Sequence, residues 1–270
     1  MRIVVPIKQV PETSNVRMDP ETGTMVRSGA TAVVNPLDLY AIEAALRLRE
    51  AHGGSVTALS MGPPAAMKAV KEAIAMGCDD GVLLSDRRFA GSDTWATSYT
   101  LAAAIRRIGR VDLVVAGERA TDGDTAQVGP GIAAWLDLPL ATYVARIESL
   151  DRERVTVERL IEEGYQRVSL QLPALITVVK EIASVRLPTL RGKKRAKQLD
   201  VPVWTATDLQ VESTSIGLKG SPTKVVRIER PKVARSGELV HANGEGGVDG
   251  AVDLLVTFLE QRGLLQEAES

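Results

Sequence analysis

The sequence predicts an α/β fold: a mostly parallel sheet with helices on both faces and an arm at the C-terminus. Three observations predict it. Short β-rich runs recur between amphipathic stretches of helical spacing, which is the signature of strands joined by crossover helices. Prolines stand where helices would begin and glycines where they would end. The alternation then breaks down late in the chain, so the last segment is built differently.

Taken in order, "RIVVPI" (2–7) reads as the first strand and "SVTALSM" (55–61) as the second. "GVLLS" (81–85) and "VDLVVAG" (111–117) follow. Between them, "PLDLYAIEAALRLREA" (36–51), "PAAMKAVKEAIAMG" (64–77) and "TWATSYTLAAAIRRI" (94–108) place apolar residues at helical intervals. Pro36 and Pro64 suit the first turn, and Gly53 and Gly77 suit helix ends. "GIAAWL" (131–136) reads as a further helix. "RVTVERLIEEGYQRVSLQLPALITVV" (154–179) has the pattern of a hairpin followed by a buried strand, extending the sheet at one edge with antiparallel character. From Arg186 the chain becomes irregular and basic, and 217–232 offers one strand at most. Residues 234–247 have the composition of a flexible connection, and 248–265 form an amphipathic helix that needs a surface, on this chain or another. The expected organisation is a nucleotide-binding α/β domain over 1–185, a basic loop and connection over 186–231, and an arm over 232–270.

With 270 residues, 44% of them apolar, the chain has ample length for a buried core. No apolar run reaches the roughly 18 residues of a membrane span, and the N-terminus enters a strand directly, without the pattern of a signal or transit peptide. One cysteine and two histidines argue against a disulfide or a metal centre, and the net charge of −1 argues against a nucleic-acid partner. A cytosolic protein without its own metal is the expectation. Cys78 reads as a small core or turn residue, and His52 and His241 as surface or loop residues. The Rossmann glycine fingerprint, the Walker lysine loop and the nucleophile elbow are all missing, so no catalytic residue is assigned.

The least ordinary stretch is "GERATDGDTAQVGP" (117–130), a polar glycine-rich turn between a strand and a helix. A helix start offers unpaired N–H groups and a positive dipole end, both suited to phosphate. Gly123 and Gly129 permit close backbone approach, and Gln127 bonds phosphate oxygen without charge. The carboxylates then need other work: Asp124 or Thr125 as helix cap, Asp122 holding the turn or a ribose hydroxyl. An ordinary capped strand-to-helix turn would have the same spacing, and the spacing alone does not choose. "NPLD" (35–38), "SMGPP" (60–64) and "GSDTWATS" (91–98) are further turns at helix starts, and open α/β sheets bind ligands beyond the carboxyl ends of their strands. The basic stretch "VRLPTLRGKKRAK" (185–197) carries six cations and no acid, as a solvated linker would. Its Leu187 and Leu190 also suit an apolar anchor with a charged rim, the makings of a transient docking site.

In this order, "VVPIKQVP", "NPLDLYAIEAALRL", "GERATDGDTAQVGP", "PALITVVKE" and "VRLPTLRGKKRAK" resemble the β subunit of an electron-transferring flavoprotein over nearly the whole chain. The resemblance implies a three-layer α/β/α fold of the adenine-nucleotide-α-hydrolase type and a heterodimer with an α subunit that carries FAD. In one branch of the family the β-subunit pocket holds AMP as a structural element; in the bifurcating, nitrogen-fixation-type branch it holds a second FAD. "GSDTWATSYTL", "NPLD", "GDTAQVGP" and "GSPT" (220–223) resemble the second branch. Carried over by position, Pro6, Asn35, Asp38, Met61 and Gly62 surround the adenosine. Gly117, Asp122, Gly123, Asp124, Thr125, Ala126 and Gln127, with Val128 and Gly129 at the next helix start, hold ribose and phosphates. Asp93, Thr94 and Thr97 face the pyrophosphate or the flavin. Leu187, Leu190 and Arg191 dock a partner, and the C-terminal helix leans on the α subunit.

The function so implied is electron bifurcation. NADH reduces the FAD of this chain, and one electron goes to ferredoxin or flavodoxin. The other passes through the α-subunit FAD to an acyl-CoA-type dehydrogenase or a membrane quinone oxidoreductase. The alternative is a carrier that binds AMP and takes electrons from acyl-CoA dehydrogenases. A nucleotide-sensing stress-type protein of similar fold is a third possibility, disfavoured by the basic stretch and the long arm.

Overall fold

The computed structural model describes residues 1–12, 17–18, 25–26, 32–226, 239–243 and 246–265. Part of the expected connection, 227–238, lies outside the described residues. The chain divides into two compact units, Met1–Lys224 and Val225–Ser270.

The first unit opens with β1 (Arg2–Ile7) and four short strands, β2 (Gln9–Pro11), β3 (Arg17–Met18), β4 (Met25–Val26) and β5 (Ala32–Val34). There follow α1 (Pro36–His52), β6 (Ser55–Met61), α2 (Met67–Met76), β7 (Asp80–Leu84), α3 (Thr94–Ile108), β8 (Leu113–Gly117) and α4 (Val128–Leu136). Then come β9 (Leu140–Leu150), β10 (Arg154–Ile161), β11 (Gly164–Gln171), β12 (Ala174–Val178), α5 (Leu190–Gln198), β13 (Val203–Trp204), α6 (Ala206–Leu209) and α7 (Gly217–Gly220). The second unit contains α8 (Gly247–Gln261).

Nine strands form one sheet in the order β11-β10-β9-β12-β8-β1-β6-β7-β13. All pairs are parallel except β9–β10 and β10–β11, the antiparallel edge that the sequence predicts. Alternate strand residues feed two cores, as the two-residue period of a strand requires. Ile3, Val5, Val56, Ala58, Val115 and Ile176 pack with Ala41, Ile42, Leu46, Ala69 and Ala73 of α1 and α2. Val4, Leu59, Val114 and Leu175 pack on the other face with Leu101, Ile105, Ile132 and Ala133 of α3 and α4. The three layers follow from that alternation. Each buried leucine or isoleucine contributes about 1.5–3 kcal/mol, so this double core is the main source of the fold's stability. Cys78 is buried in it, which raises its thiol pKa to about 12 and fits the reading of an inert core residue.

Besides the short elements of two to four residues, two longer ones escape the sequence reading. Strand β9 was not expected, because its alternation is broken: register shifts interrupt both its pairings, and Tyr143 adopts a positive φ of 57°. Helix α5 lies in the stretch read as irregular. Thr189 caps it through its hydroxyl, which accepts from the Gly192 N–H at 3.0 Å. The helix lies so close to the end of α2 that a Cβ at residue 192 would fall 2.0 Å from the Ala75 carbonyl. Val201, Ala206, Leu209 and Ile216 are also buried, so the compact unit continues well past residue 185.

In the second unit, none of the described residues of α8 is buried. Val252, Leu255, Val256 and Phe258 lie exposed along it.

Candidate nucleotide site

From β1 the chain winds to β6 and β7 on one side, then returns to β8 on the other, so the direction of winding reverses between β1 and β8. At such a switch point the loops leaving neighbouring strands splay apart and leave a crevice. Lys8, the start of α1 and the loop from Gly117 to Gln127 meet there.

Asn35 joins them. It is fully buried, its side-chain amide donates to the Arg119 carbonyl at 2.9 Å, and its Oδ1 accepts from the Thr121 N–H at 3.2 Å. Its own N–H donates to the Lys8 carbonyl at 2.8 Å. Asp38, one turn into α1, accepts from the Lys8 N–H at 2.7 Å. A Cβ at Gly117 would lie 2.4 Å from the Asp38 carboxylate, so the end of β8 and the start of α1 can close up only with glycine there. Burial pushes Asp38 up to about 7, with the Lys8 N–H and Asn35 partly offsetting it. Pro6 is buried at the end of β1, and Met61 and Gly62 lie half-buried at the end of β6. The Ser60 hydroxyl beside them is buried without a partner, and such a group calls for a water or a ligand.

Each acid of the 117–130 loop has a cation beside it, one of them shared. The Lys8 ammonium lies 2.7 Å from Asp122, and Arg119 lies 3.5 Å from Glu118 and 3.2 Å from Asp124. Burial raises Glu118 above the usual carboxylate range. Lys8 and Arg119 were passed over in the sequence, although Lys8 stands in "VVPIKQ" directly after β1. A cation two residues past Pro6 was the available signal.

One expectation about this loop is corrected. Asp124 and Thr125 do not cap α4. The helix starts at Val128 with Gln127 in the capping position and no side-chain cap bond, because Asp124 and Ala126 take positive φ values of 52° and 54° and the chain turns once more first. Gly129 is needed for packing: a Cβ there would lie 2.5 Å from the Thr177 methyl on β12. Gly123 has open space around its Cβ position. The result still favours an anion. A left-handed residue followed by helical Gln127 can gather successive N–H groups into a concavity, and the first amides of α4 have no side-chain partner.

A second helix start joins this one. The Thr94 hydroxyl donates to the Gln127 side-chain oxygen at 2.9 Å. Behind it, Trp135 stacks edge-on against Trp95 at 4.8 Å and Tyr99 at 5.0 Å, which fixes α3 against α4. Asp93 caps α3 through the Ala96 N–H at 3.0 Å. Its second oxygen accepts from the Thr223 N–H and hydroxyl at 2.9 and 2.8 Å. Burial would raise Asp93, but these donors hold it below the usual range. Both its oxygens are engaged within the chain, so Asp93 shapes the site and ties down "GSPT". Thr97 is half-buried one turn along. These hydrogen bonds thus join the Asn35–Asp38 turn, the 117–127 loop and Thr94 at the start of α3, while Pro6, Met61, Gly62 and Thr97 lie on neighbouring elements.

The predicted docking residues lie elsewhere, past the end of β12. Leu187 is 85% exposed and Leu190 86%, and Arg191 is exposed beside them. Among the described residues no group of acids, cysteines or histidines could hold a metal ion, and no helix is long and apolar enough to cross a membrane.

Fold and crevice together define an α/β protein with a switch point, the place where open sheets of this kind bind their ligands. The model of the electron transfer flavoprotein domain matches residues 22–209. The β subunit of an electron transfer flavoprotein from Thermoanaerobacterium thermosaccharolyticum is 46% identical, over 94% of this chain and 98% of its own length. Protein FixA of Azorhizobium caulinodans is 48% identical over 86% and 85%. Subunit CarD of the caffeyl-CoA reductase-Etf complex of Acetobacterium woodii is 42% identical over 98% and 100%. The chain belongs to the electron transfer flavoprotein family, among its β subunits.

Proposed function

We propose that the crevice between β1 and β8 holds a second FAD, and that the chain is the bifurcating half of a heterodimer whose α subunit carries the other. The observation that favours a dinucleotide over AMP is the Thr94–Gln127 bond, which sets the α3 turn beside the open start of α4. The open start of α4 suits phosphate, and the α3 turn, capped by its own Asp93, continues the site beyond it with room for more than a monophosphate. The likeness to FixA and to CarD supports the same branch.

Here Asn35 and Gly117 keep the adenosine side of the crevice closed up. The first amides of α4 and the side-chain NH2 of Gln127 bind the diphosphate without charge, and Thr94 orients Gln127 by donating to its oxygen. Lys8 and Arg119 offset part of the repulsion from the three acids of the loop. When bound, the flavin supplies the redox chemistry: hydride uptake from NADH and division of the pair between ferredoxin or flavodoxin and the α-subunit FAD. The chain supplies placement and electrostatics. Leu187, Leu190 and Arg191 dock the acyl-CoA-type dehydrogenase or quinone oxidoreductase that receives the second electron, and the apolar stripe of α8 leans on the α subunit. Thr94→Val with Thr97→Val tests the reading. The heterodimer is expected to keep the α-subunit FAD and lose the other, falling from two flavins to about one; retention of two would refute this placement.

A further inference from the structure

The exposed leucines sit on a segment that is held rigidly from behind. Between the end of β12 and α5 the chain has no regular strand or long helix to stiffen it. Both its ends are nevertheless tied down. At the near end, Glu43 of α1, 2% exposed, receives four hydrogen bonds. The Arg186 guanidinium gives Nε at 2.7 Å and Nη2 at 3.2 Å, the Arg186 backbone N–H gives a third at 3.2 Å, and Arg47 Nε the fourth at 2.7 Å. Glu50, two turns on, takes Arg186 Nη1 at 2.5 Å and Nη2 at 3.1 Å. Arg47 also reaches the Ser184 carbonyl at 3.2 Å. At the far end, Arg195 donates to the carbonyls of Cys78 and Asp79, and Gly192 lies against Ala75.

A buried carboxylate is a costly way to pack a helix, since apolar residues of the same volume often serve stability as well. Its four donors make sense as a fixing point. Burial would raise Glu43, but the Arg186 and Arg47 hydrogen bonds bring it below the usual carboxylate range, so it stays charged. Because one of those donors is backbone, Glu43 fixes the chain itself one residue before Leu187, and not merely a long side chain.

We infer that Glu43 is a positioning residue for partner docking: through Arg186 it holds Leu187 and Leu190 outward in one orientation, so that a partner need not order them. The inference rests on the docking role proposed for those leucines. Binding a segment that is already ordered avoids the entropy loss of fixing it. The expected cost of unclamping is about tenfold in affinity, the effect of ordering roughly one residue of backbone at the moment of binding.

The test uses the whole heterodimer with a soluble acyl-CoA dehydrogenase as probe. Glu43→Gln and, separately, Arg186→Gln are expected to speed hydrogen exchange over 184–192. Both raise the KM for the dehydrogenase about tenfold and leave kcat, nucleotide content and NADH reduction unchanged, and Arg186→Lys recovers part of the loss. Arg186 is on the surface, so its variant decides the matter if Glu43→Gln fails to fold. If Leu190→Ala weakens docking while both clamp variants dock as the wild type does, the inference falls alone. If Leu190→Ala also leaves docking unchanged, the docking role falls and the inference with it.

Discussion

Helix α1 serves two regions of opposite character. At its first residues, Asn35 and Asp38 face a crevice where nearly every polar group already has a partner. Further along, Glu43, Arg47 and Glu50 support a segment that leaves two leucines bare to solvent. A site for a small polar ligand must be built before the ligand arrives, so its loops are bonded to one another. A docking surface needs an unsatisfied apolar group, and rigidity only behind it. The difference teaches how to sort charged residues on one helix: those tying loop to loop shape a pocket, and those tying helix to surface chain present an anchor.

The largest expected effect of breaking this comparison is at Asn35. Asn35→Ala leaves the Arg119 carbonyl and the Thr121 N–H without their partner, at about 1–3 kcal/mol for each buried group. The loop is expected to loosen, with bound nucleotide lost on gel filtration and docking of the dehydrogenase retained. Loss of docking in step with nucleotide would show that the two regions are not separable.

Next in size is Leu190→Ala. Truncating an apolar anchor costs about 1–3 kcal/mol of binding, so delivery to the dehydrogenase should slow while flavin reduction by NADH holds its wild-type rate. Equal loss in both half-reactions, followed by stopped flow, would indicate a folding defect.

Asp38 sharpens the comparison through pH. Its folded pKa, near 7, lies above the unfolded value of 3.8, so its neutral form is favoured by folding. The stability it contributes is fully present below about pH 4 and is lost as pH rises through 7. Urea melts of wild type and Asp38→Asn should therefore diverge, the variant gaining relative stability between pH 4 and 7. Parallel curves would mean that the carboxyl is not buried as described. Glu43, whose carboxyl pKa is lowered, slopes the other way: its stability is present above its unfolded value of 4.5 and is lost as pH falls below it.

The smallest effect is at Asp124. It is not a cap, and it makes only an exposed pair with Arg119. Asp124→Ala should cost less than about 1 kcal/mol. A larger loss in thermal melts would restore the capping role.

Much of the parallel sheet was legible because its strands and helices keep clean periods. Strand β9 was not, since the bulge at Tyr143 shifts which residues face the core. Helix α5 was masked by its charges: only Gly192, Arg195 and Ala196 turn toward α2, and the rest of the helix is exposed. In the site, the 117–130 loop was readable as a polar turn between a strand and a helix. The point where the helix begins was not, because positive φ at Asp124 and Ala126 delays it to Val128. Glu43 and Arg186 lie 143 positions apart, a distance that no local pattern reports.

The central claim is that the crevice holds a dinucleotide. The most direct measurement is the nucleotide released on denaturing the wild-type heterodimer, counted by absorbance and identified by chromatography. Two FAD and no AMP per heterodimer is the result expected; one FAD and one AMP would contradict it.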